Sequence, residues 1–306
     1  MKITHLGKLG EKKINMRILI IGGNGYIGSH LVESLKTHEL LVISRNKPIK
    51  TTFNAHFIND QDNQIKNKIN KFKPDIAINS SGFTTHQEDS ESIEKLIDSN
   101  ISYAVKMLNC LADSKLKLYI NLGSSLEFYT NEDKPIPTNI YAASKTAFNP
   151  FLEYYSQVNN FKILTLYLNN IYGGNYNKKK IFDFIIDSTE SSEPIDMTPG
   201  NQRLDFLHIE DLMELFQCIV NKPILDFEDN QKFLVGFGRD YSLKKLSILV
   251  SKIYKKDTKI NWGGRKYRKR EKMNSKSDNL DLLETFGWTP KITIEKGIEI
   301  YKKIKC

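Results

Sequence analysis

Tyr141 and Lys145 stand four residues apart in Tyr141-Ala142-Ala143-Ser144-Lys145, at the start of a segment predicted to be helical over 140–157. Side chains at i and i+4 share one helix face, so a phenol and an ammonium are presented together. A free phenol has a pKa of about 10, and a neighbouring ammonium favours phenolate, drawing that value towards neutrality, where general acid–base work is done. Just upstream, Leu122-Gly123-Ser124-Ser125 closes an apolar run predicted as a strand over 118–122. A hydroxyl at that strand end points into the same crevice and suits hydrogen bonding to a substrate carbonyl. The plainer reading of these residues is a buried tyrosine at a helix start beside a solvated lysine.

A second pattern supplies a binding site for phosphate. The apolar run at 17–21 is followed at once by Gly22-Gly23-Asn24-Gly25-Tyr26-Ile27-Gly28 and then by helical spacing, with Ile27, Leu31 and Leu35 at i, i+4 and i+8. Gly22, Gly25 and Gly28 let backbone approach a pyrophosphate closely, while the N–H groups from Tyr26 and Ile27 onward open the helix with positive potential. About 20 residues on, a site selecting NAD(H) carries a carboxylate for the ribose hydroxyls. Here the second strand ends in Val42-Ile43-Ser44-Arg45-Asn46. Arg45 suits a 2′-phosphate and Ser44 can hydrogen-bond it, so NADP(H) is preferred over NAD(H). Asp60, after a third strand at 55–59, is a candidate contact to adenine.

The elements that must position these groups follow the same alternation. Strands are predicted at 17–21, 40–44, 55–59, 75–79, 118–122 and 163–168, with helices at 26–36, 92–112 and 140–157 between them. Short, wholly apolar strands are those of a parallel sheet covered on both faces. The expected fold is therefore α/β, a Rossmann-type doubly wound parallel sheet with a smaller C-terminal substrate-binding lobe. The chain divides into a loose, Lys-rich extension at 1–15, a dinucleotide-binding domain at 16–172, and a mainly substrate-binding lobe at 173–306, from which 206–220 returns to the first domain.

The bulk numbers narrow the function classes. The 306 residues include 45 basic and 36 acidic side chains, a formal charge of +9, with 40% hydrophobic residues. Such a composition is that of a globular domain with a sizeable core. The basic run at 265–272 has an aromatic within it, but one run without a recognition motif reads as a solvated face, so no nucleic-acid partner is expected. Three cysteines, Cys110, Cys218 and Cys306, show neither metal-ligand spacing nor a disulfide framework, and no metal is expected. No stretch approaches the roughly 20 apolar residues of a membrane span, and the basic N-terminus lacks a signal-peptide core, so a cytoplasmic enzyme without membrane association is expected.

The order of glycine turn, strand-end serine and Tyr-x-x-x-Lys resembles the extended short-chain dehydrogenase/reductase family, of the NAD-dependent epimerase/dehydratase type, over roughly residues 16–300. That resemblance implies an enzyme acting on a nucleotide sugar, with Tyr141 and Lys145 in the catalytic group and against the cofactor. By the family pattern Ser125, four residues before Tyr129, is the catalytic hydroxyl, with Ser124 its neighbour. Asn100 resembles the family's asparagine that supports the active-site backbone. Asn170, in Asn169-Asn170-Ile171-Tyr172-Gly173, resembles the one that faces substrate, although Tyr167 stands where the family carries an arginine. Arg203, in Gly200-Asn201-Gln202-Arg203-Leu204-Asp205-Phe206, and Arg268, in the segment from Trp262-Gly263-Gly264 to Glu271-Lys272-Met273, resemble arginines that clamp the substrate phosphates. The last segment looks particularly like that of 4-ketoreductases making deoxysugars, such as the CDP-abequose and CDP-paratose synthases. Leu126-Glu127 lacks the Asp-Glu pair of the family's dehydratases, and no cysteine lies near Ser125 as in its 3,5-epimerase/reductases. The implied reaction is NADPH-dependent reduction of a CDP- or dTDP-linked 4-keto-6-deoxy sugar, with a 4-epimerase keeping NAD, or a non-catalytic dinucleotide-binding regulator, as alternatives. Family members often pair through the helices at 92–112 and 140–157, which implies a homodimer.

Overall fold

A computed structural model describes residues 15–44, 55–59, 61, 63–130, 134–174 and 178–305. The readings placed on Arg45, Asp60 and the extension before residue 15 lie outside the described residues.

The apolar runs become strands wherever both faces are covered. In order along the chain come β1 (Arg17–Ile21), α1 (Tyr26–Ser34), β2 (Glu39–Ser44), β3 (Ala55–Asn59), α2 (Ile65–Phe72) and β4 (Ile76–Asn79). These are followed by α3 (Ser90–Ile97), α4 (Tyr103–Leu111), β5 (Leu118–Ser124), α5 (Ile140–Asn159), β6 (Lys162–Leu168) and β7 (Asn170–Tyr172). Alternate residues of β1 enter different cores. Ile18 and Ile20 pack with Leu31 and Val32 of α1, whereas Leu19 and Ile21 pack with Ile65 and Ile69 of α2 and with Met107 and Leu108 of α4. That alternation is the period of a strand, and a helical layer on each face makes the sheet doubly wound.

The second part of the chain contributes α6 (Ile181–Asp187), β8 (Ile195–Met197), β9 (Arg203–His208), α7 (Ile209–Asn221) and β10 (Asn230–Val235). It ends with β11 (Asp240–Ser242), α8 (Leu243–Tyr254), β12 (Ile260–Trp262), α9 (Leu280–Phe286) and α10 (Ile294–Lys305). The main sheet has seven parallel strands in the order β10-β6-β5-β4-β1-β2-β3. The α/β expectation holds, but of the 206–220 segment expected to return to the first domain only α7 packs on the main sheet: β9 lies in a separate three-stranded sheet, and the seventh strand is β10. β10 comes from the segment read as mainly the other lobe, because its 230–235 register pairs with β6 and its Val235 is fully buried. Leu212, Leu215, Phe216 and Ile219 of α7 pack into the α1 side of the sheet. The smaller lobe is organised around a third core, in which Phe182, Met197, Phe206, Leu246 and Ile298 meet, with β9 between β7 and β11.

The strand order reverses between β1 and β4, both of which end at one edge of the sheet. In open α/β sheets the crevice at such a reversal, outside the carboxyl ends, is where ligands bind. The single helix expected over 92–112 is instead α3 and α4 separated by a π turn, Asp98–Ser102. The wider turn admits an extra residue and holds Asn100 buried against the crevice.

Candidate active site

The glycine turn leaves β1 and enters α1 by a path that glycine alone permits at two points. Gly22 has φ +84°, and a Cβ there would lie 2.7 Å from the backbone of Ser81 beyond β4. A Cβ on Gly28 would lie 2.2 Å from the Gly22 carbonyl, so the helix can pack this closely on the turn only without a side chain. The N–H groups of Gly22 and Gly23 both donate to Ile43, which fixes the turn to the end of β2 beside the buried Ser44. The N-cap of α1 is Gly25, and no side chain caps the helix. This start, with Tyr26, Ile27 and Gly28 in its first turn, fits the pyrophosphate of a dinucleotide. Tyr26 also braces the far wall, its hydroxyl donating to the Gly173 carbonyl at 2.7 Å.

At the neighbouring strand ends the catalytic candidates meet. α5 begins with Asn139 as N-cap, its side chain accepting from Ala142, so Tyr141 and Lys145 fall on the first two turns. The Tyr141 hydroxyl is within hydrogen-bonding reach of the side chains of Thr84 and Ser124. The Lys145 amine donates to the carbonyls of Leu122 at 3.2 Å and Ser81 at 3.3 Å, bridging the ends of β5 and β4. Asn100 completes the frame: its amide brackets Phe83, accepting from the N–H and donating to the carbonyl, and also donates to Ser144.

The charges do not settle as the spacing alone suggests. Burial pushes the Tyr141 phenol above its ordinary pKa, and the negative charge of Glu127 acts in the same direction, against the hydrogen bonds from Thr84 and Ser124. Burial likewise lowers the pKa of Lys145, with Glu127 opposing. In this arrangement desolvation is the largest influence on the phenol, and Lys145 is not among the groups that shift it. Tyr141 stands as a proton-bearing phenol.

Ser125 lies beside this cluster on a single 3-10 turn, Ser125–Glu127, and is buried. Ser124 is the hydroxyl brought to Tyr141, while the Ser125 carbonyl accepts from Lys272. Glu127 caps the turn reciprocally: its carboxylate accepts from the Ser124 N–H at 2.8 Å, and the Ser124 hydroxyl accepts from the Leu126 N–H at 3.2 Å. The other Glu127 oxygen accepts from Thr146 on α5 at 3.0 Å. Ser-x-x-Glu is a capping-box signature, so this role for Glu127 was legible in the sequence. Nothing in the sequence pattern singles out Thr84.

The substrate-side candidates separate into those that the fold gathers and those that it does not. Arg268 is exposed, and its positive charge is felt at His86, two residues beyond Thr84. The surrounding protein, and then the positive charges of Arg268 and Lys178, hold that imidazole down to about 4, although the residue is exposed. Lys178 donates to the Thr84 carbonyl at 2.7 Å. Arg203, in contrast, spends its guanidinium on a two-point ion pair with Asp240, at 2.9 and 2.8 Å. Asn170 donates to the Asp205 carbonyl at 3.1 Å and so ties β7 to β9. Tyr167, in the place of the family's arginine, packs edge-on against Phe128 with ring centroids 4.8 Å apart.

Among the described residues no cluster of acidic, histidine or cysteine side chains could hold a metal ion, and no helix is long and apolar enough to cross a membrane.

Comparison with known proteins agrees with this fold. The chain is 28% identical over 262 residues to CDP-abequose synthase of Yersinia pseudotuberculosis, covering 84% of this chain and 91% of the relative. Among solved structures, UDP-glucuronic acid 4-epimerase of Bacillus cereus, in complex with UDP-glucuronic acid and NAD, superposes with a TM-score of 0.83 at 18% identity, covering 95% of this chain and 99% of that one. UDP-glucose 4-epimerase of Thermotoga maritima, with UDP-glucose, gives a TM-score of 0.81 at 20% identity, covering 95% and 100%. Residues 18–236, which include the glycine turn and the Tyr141–Lys145 pair, match the model of one family, and the chain belongs to it: the NAD dependent epimerase/dehydratase family.

Proposed function

We propose that this protein is a nucleotide-sugar 4-ketoreductase, reducing a CDP- or dTDP-linked 4-keto-6-deoxy sugar with NADPH in the cytoplasm. The observation that carries the reading is the meeting of Tyr141, Ser124 and Lys145 at the carboxyl ends of β4 and β5, beside the glycine turn. The CDP-abequose synthases of Yersinia pseudotuberculosis and Salmonella muenchen, the latter 26% identical over 94% of this chain, support the substrate class.

A nicotinamide dinucleotide, held along Gly22, Gly25 and the first turn of α1, supplies the hydride when bound. Tyr141 donates the proton to the oxygen forming at C4. A reduction consumes a protonated phenol, the form that burial favours here. Ser125, with Ser124 beside it, orients the carbonyl by hydrogen bonding. Lys145 holds its amine between the two strand ends, where it steadies the cofactor ribose and returns charge balance to Tyr141. Arg268 faces the substrate phosphates, and Asn170 lines the sugar side. Asn100 keeps the Phe83 backbone in place through a pair of hydrogen bonds. Ser44, Arg45 and Asp60 select the adenosine end. The absence of a carboxylate after β2 favours NADP(H).

The test is oxidation of NADPH against CDP-, dTDP-, GDP- and UDP-linked 4-keto-6-deoxy sugars. Stoichiometric oxidation with the CDP or dTDP substrate is expected; no oxidation, with interconversion of the corresponding 4-hydroxy nucleotide sugars at C4, would replace the reductase reading with a 4-epimerase, the activity named for the structural neighbours. In the same assay Arg45→Asp weakens use of NADPH far more than of NADH, and equal losses would remove the NADP(H) preference. A homodimer completes the reading. Phe151, Tyr154 and Val158 form an exposed apolar stripe on α5, with Ile97 on α3, which a second copy would cover. Light scattering measures it directly.

A further inference from the structure

The basic run at 265–272 is not spent on solvent throughout. The Arg270 guanidinium lies 5.0 Å from the centre of the Tyr129 ring, and Lys272 is buried. The Lys272 ammonium donates to the Ser125 carbonyl at 2.5 Å and to the Phe128 carbonyl at 2.7 Å. These carbonyls bracket the 3-10 turn on which Ser125 stands and which Ser124 caps. Among the described residues no carboxylate pairs with Lys272, and burial alone lowers its pKa, to about 8.

An unpaired ammonium is costly to bury, and apolar contact joins two segments at lower cost. Retaining a lysine here makes sense where the direction of its hydrogen bonds matters. Directional donors are what a single helical turn needs, since its carbonyls have few partners within the turn itself. The lysine comes from 147 residues further along the chain. It directly follows the tight turn closed by the Glu271 N–H on the Arg268 carbonyl, at 3.2 Å.

We propose that Lys272 is a positioning residue for the reaction: hydrogen-bonded to the Ser125 and Phe128 carbonyls, it fixes the turn that presents Ser124 and Ser125 to Tyr141 and ties that turn to the segment carrying Arg268. The proposal rests on the reading above for the role of the two serine hydroxyls. The contact itself rests on the two hydrogen bonds.

Full-length Lys272→Met and Lys272→Arg test it by two measurements. Methionine keeps the reach and removes the donors. Amide hydrogen exchange across residues 122–130 rises about tenfold in Lys272→Met, the equivalent of one net hydrogen bond, and Lys272→Arg falls between the two. The sheet strands β1 and β2 exchange as in the wild type. With the keto sugar that the wild type reduces, kcat falls roughly 10- to 100-fold, as for a small misplacement of a reacting group, while the KM for the dinucleotide is unchanged. Unchanged exchange at 122–130 overturns the proposal. Faster exchange there with unchanged kcat reduces Lys272 to a structural tie and also overturns it, as does a rise in exchange shared by the whole sheet. If the wild type reduces none of the four keto sugars, the ketoreductase reading fails on its own, and the exchange measurement still decides whether Lys272 holds the turn.

Discussion

The cofactor side of the site, from Gly22 to Lys145, and the substrate side, from Asn170 to Lys272, are held together in different ways. On the cofactor side the functional groups other than Asn100 sit at the end of a buried strand or on the first turns of a helix, and apolar packing on both sheet faces sets their position. On the substrate side the connections are polar and long in sequence. The Asp205 carboxylate accepts from the N–H groups of Phe237, Gly238 and Ser277 and from the Ser277 hydroxyl, joining three segments at one buried charge. Lys272 does the same for the 3-10 turn at Ser125–Glu127. A parallel sheet can be built from short local signals, whereas a lobe whose strands are short and joined by long loops adds buried polar ties to its own apolar core.

The largest effect expected is on the first side. Tyr141→Phe removes the proposed proton donor and should cut turnover by roughly 10²- to 10⁴-fold with dinucleotide affinity nearly intact; retained activity would take Tyr141 out of the mechanism. On the second side, Asp205→Asn leaves four donors facing one remaining acceptor oxygen. A loss of roughly 2–4 kcal/mol in a denaturant titration is expected, and a wild-type midpoint would show that the lobe does not depend on this charge.

A smaller pair of effects separates two arginines that the sequence treats alike. Arg268→Ala should raise the substrate KM about tenfold or more if, as proposed, it faces the substrate phosphates. Arg203→Ala should change it by less than about fivefold, because it gives up only an exposed ion pair with Asp240, of the kind worth about 1 kcal/mol at most. Equal effects would place Arg203 at the phosphates after all. The smallest effect is a slope. Lys272 has a folded pKa of about 8, below that of an ordinary lysine, so the unfolded chain binds the extra proton between that value and about 10.5. Wild-type stability should therefore rise relative to Lys272→Met as pH increases through this window. A difference independent of pH would mean that the amine titrates normally.

What the sequence made legible follows the same division. The glycine turn, the strand-end serines, Tyr141 and Lys145 lie within short motifs, and the fold brings them to one edge because alternating strands and helices allow little else. Asn100 could be assigned by resemblance, though not the π turn that turns it inward, which depends on packing against Phe83 and Ser144. The raised pKa of Tyr141 was not legible, because desolvation depends on everything around the phenol and not on the lysine one turn away. The Lys272 hydrogen bonds were hidden within a basic run that looks solvated, since a contact across 147 residues leaves no periodicity to read. Arg203 shows the converse. Its partner Asp240 stands on β11, and the pairing of β11 with β9 is visible only once the strands are in place.

The place of β10 bears on how this protein can be dissected. The chain leaves the main sheet after β6, builds β7, β8, β9 and α7, and only then returns to lay β10 along β6. A fragment ending at residue 172 would retain every group of the Tyr141 cluster and yet present β6 as a long, bare, mostly apolar edge, open to pairing with other copies. Such a fragment should precipitate when expressed alone, so isolated halves are poor material for binding studies.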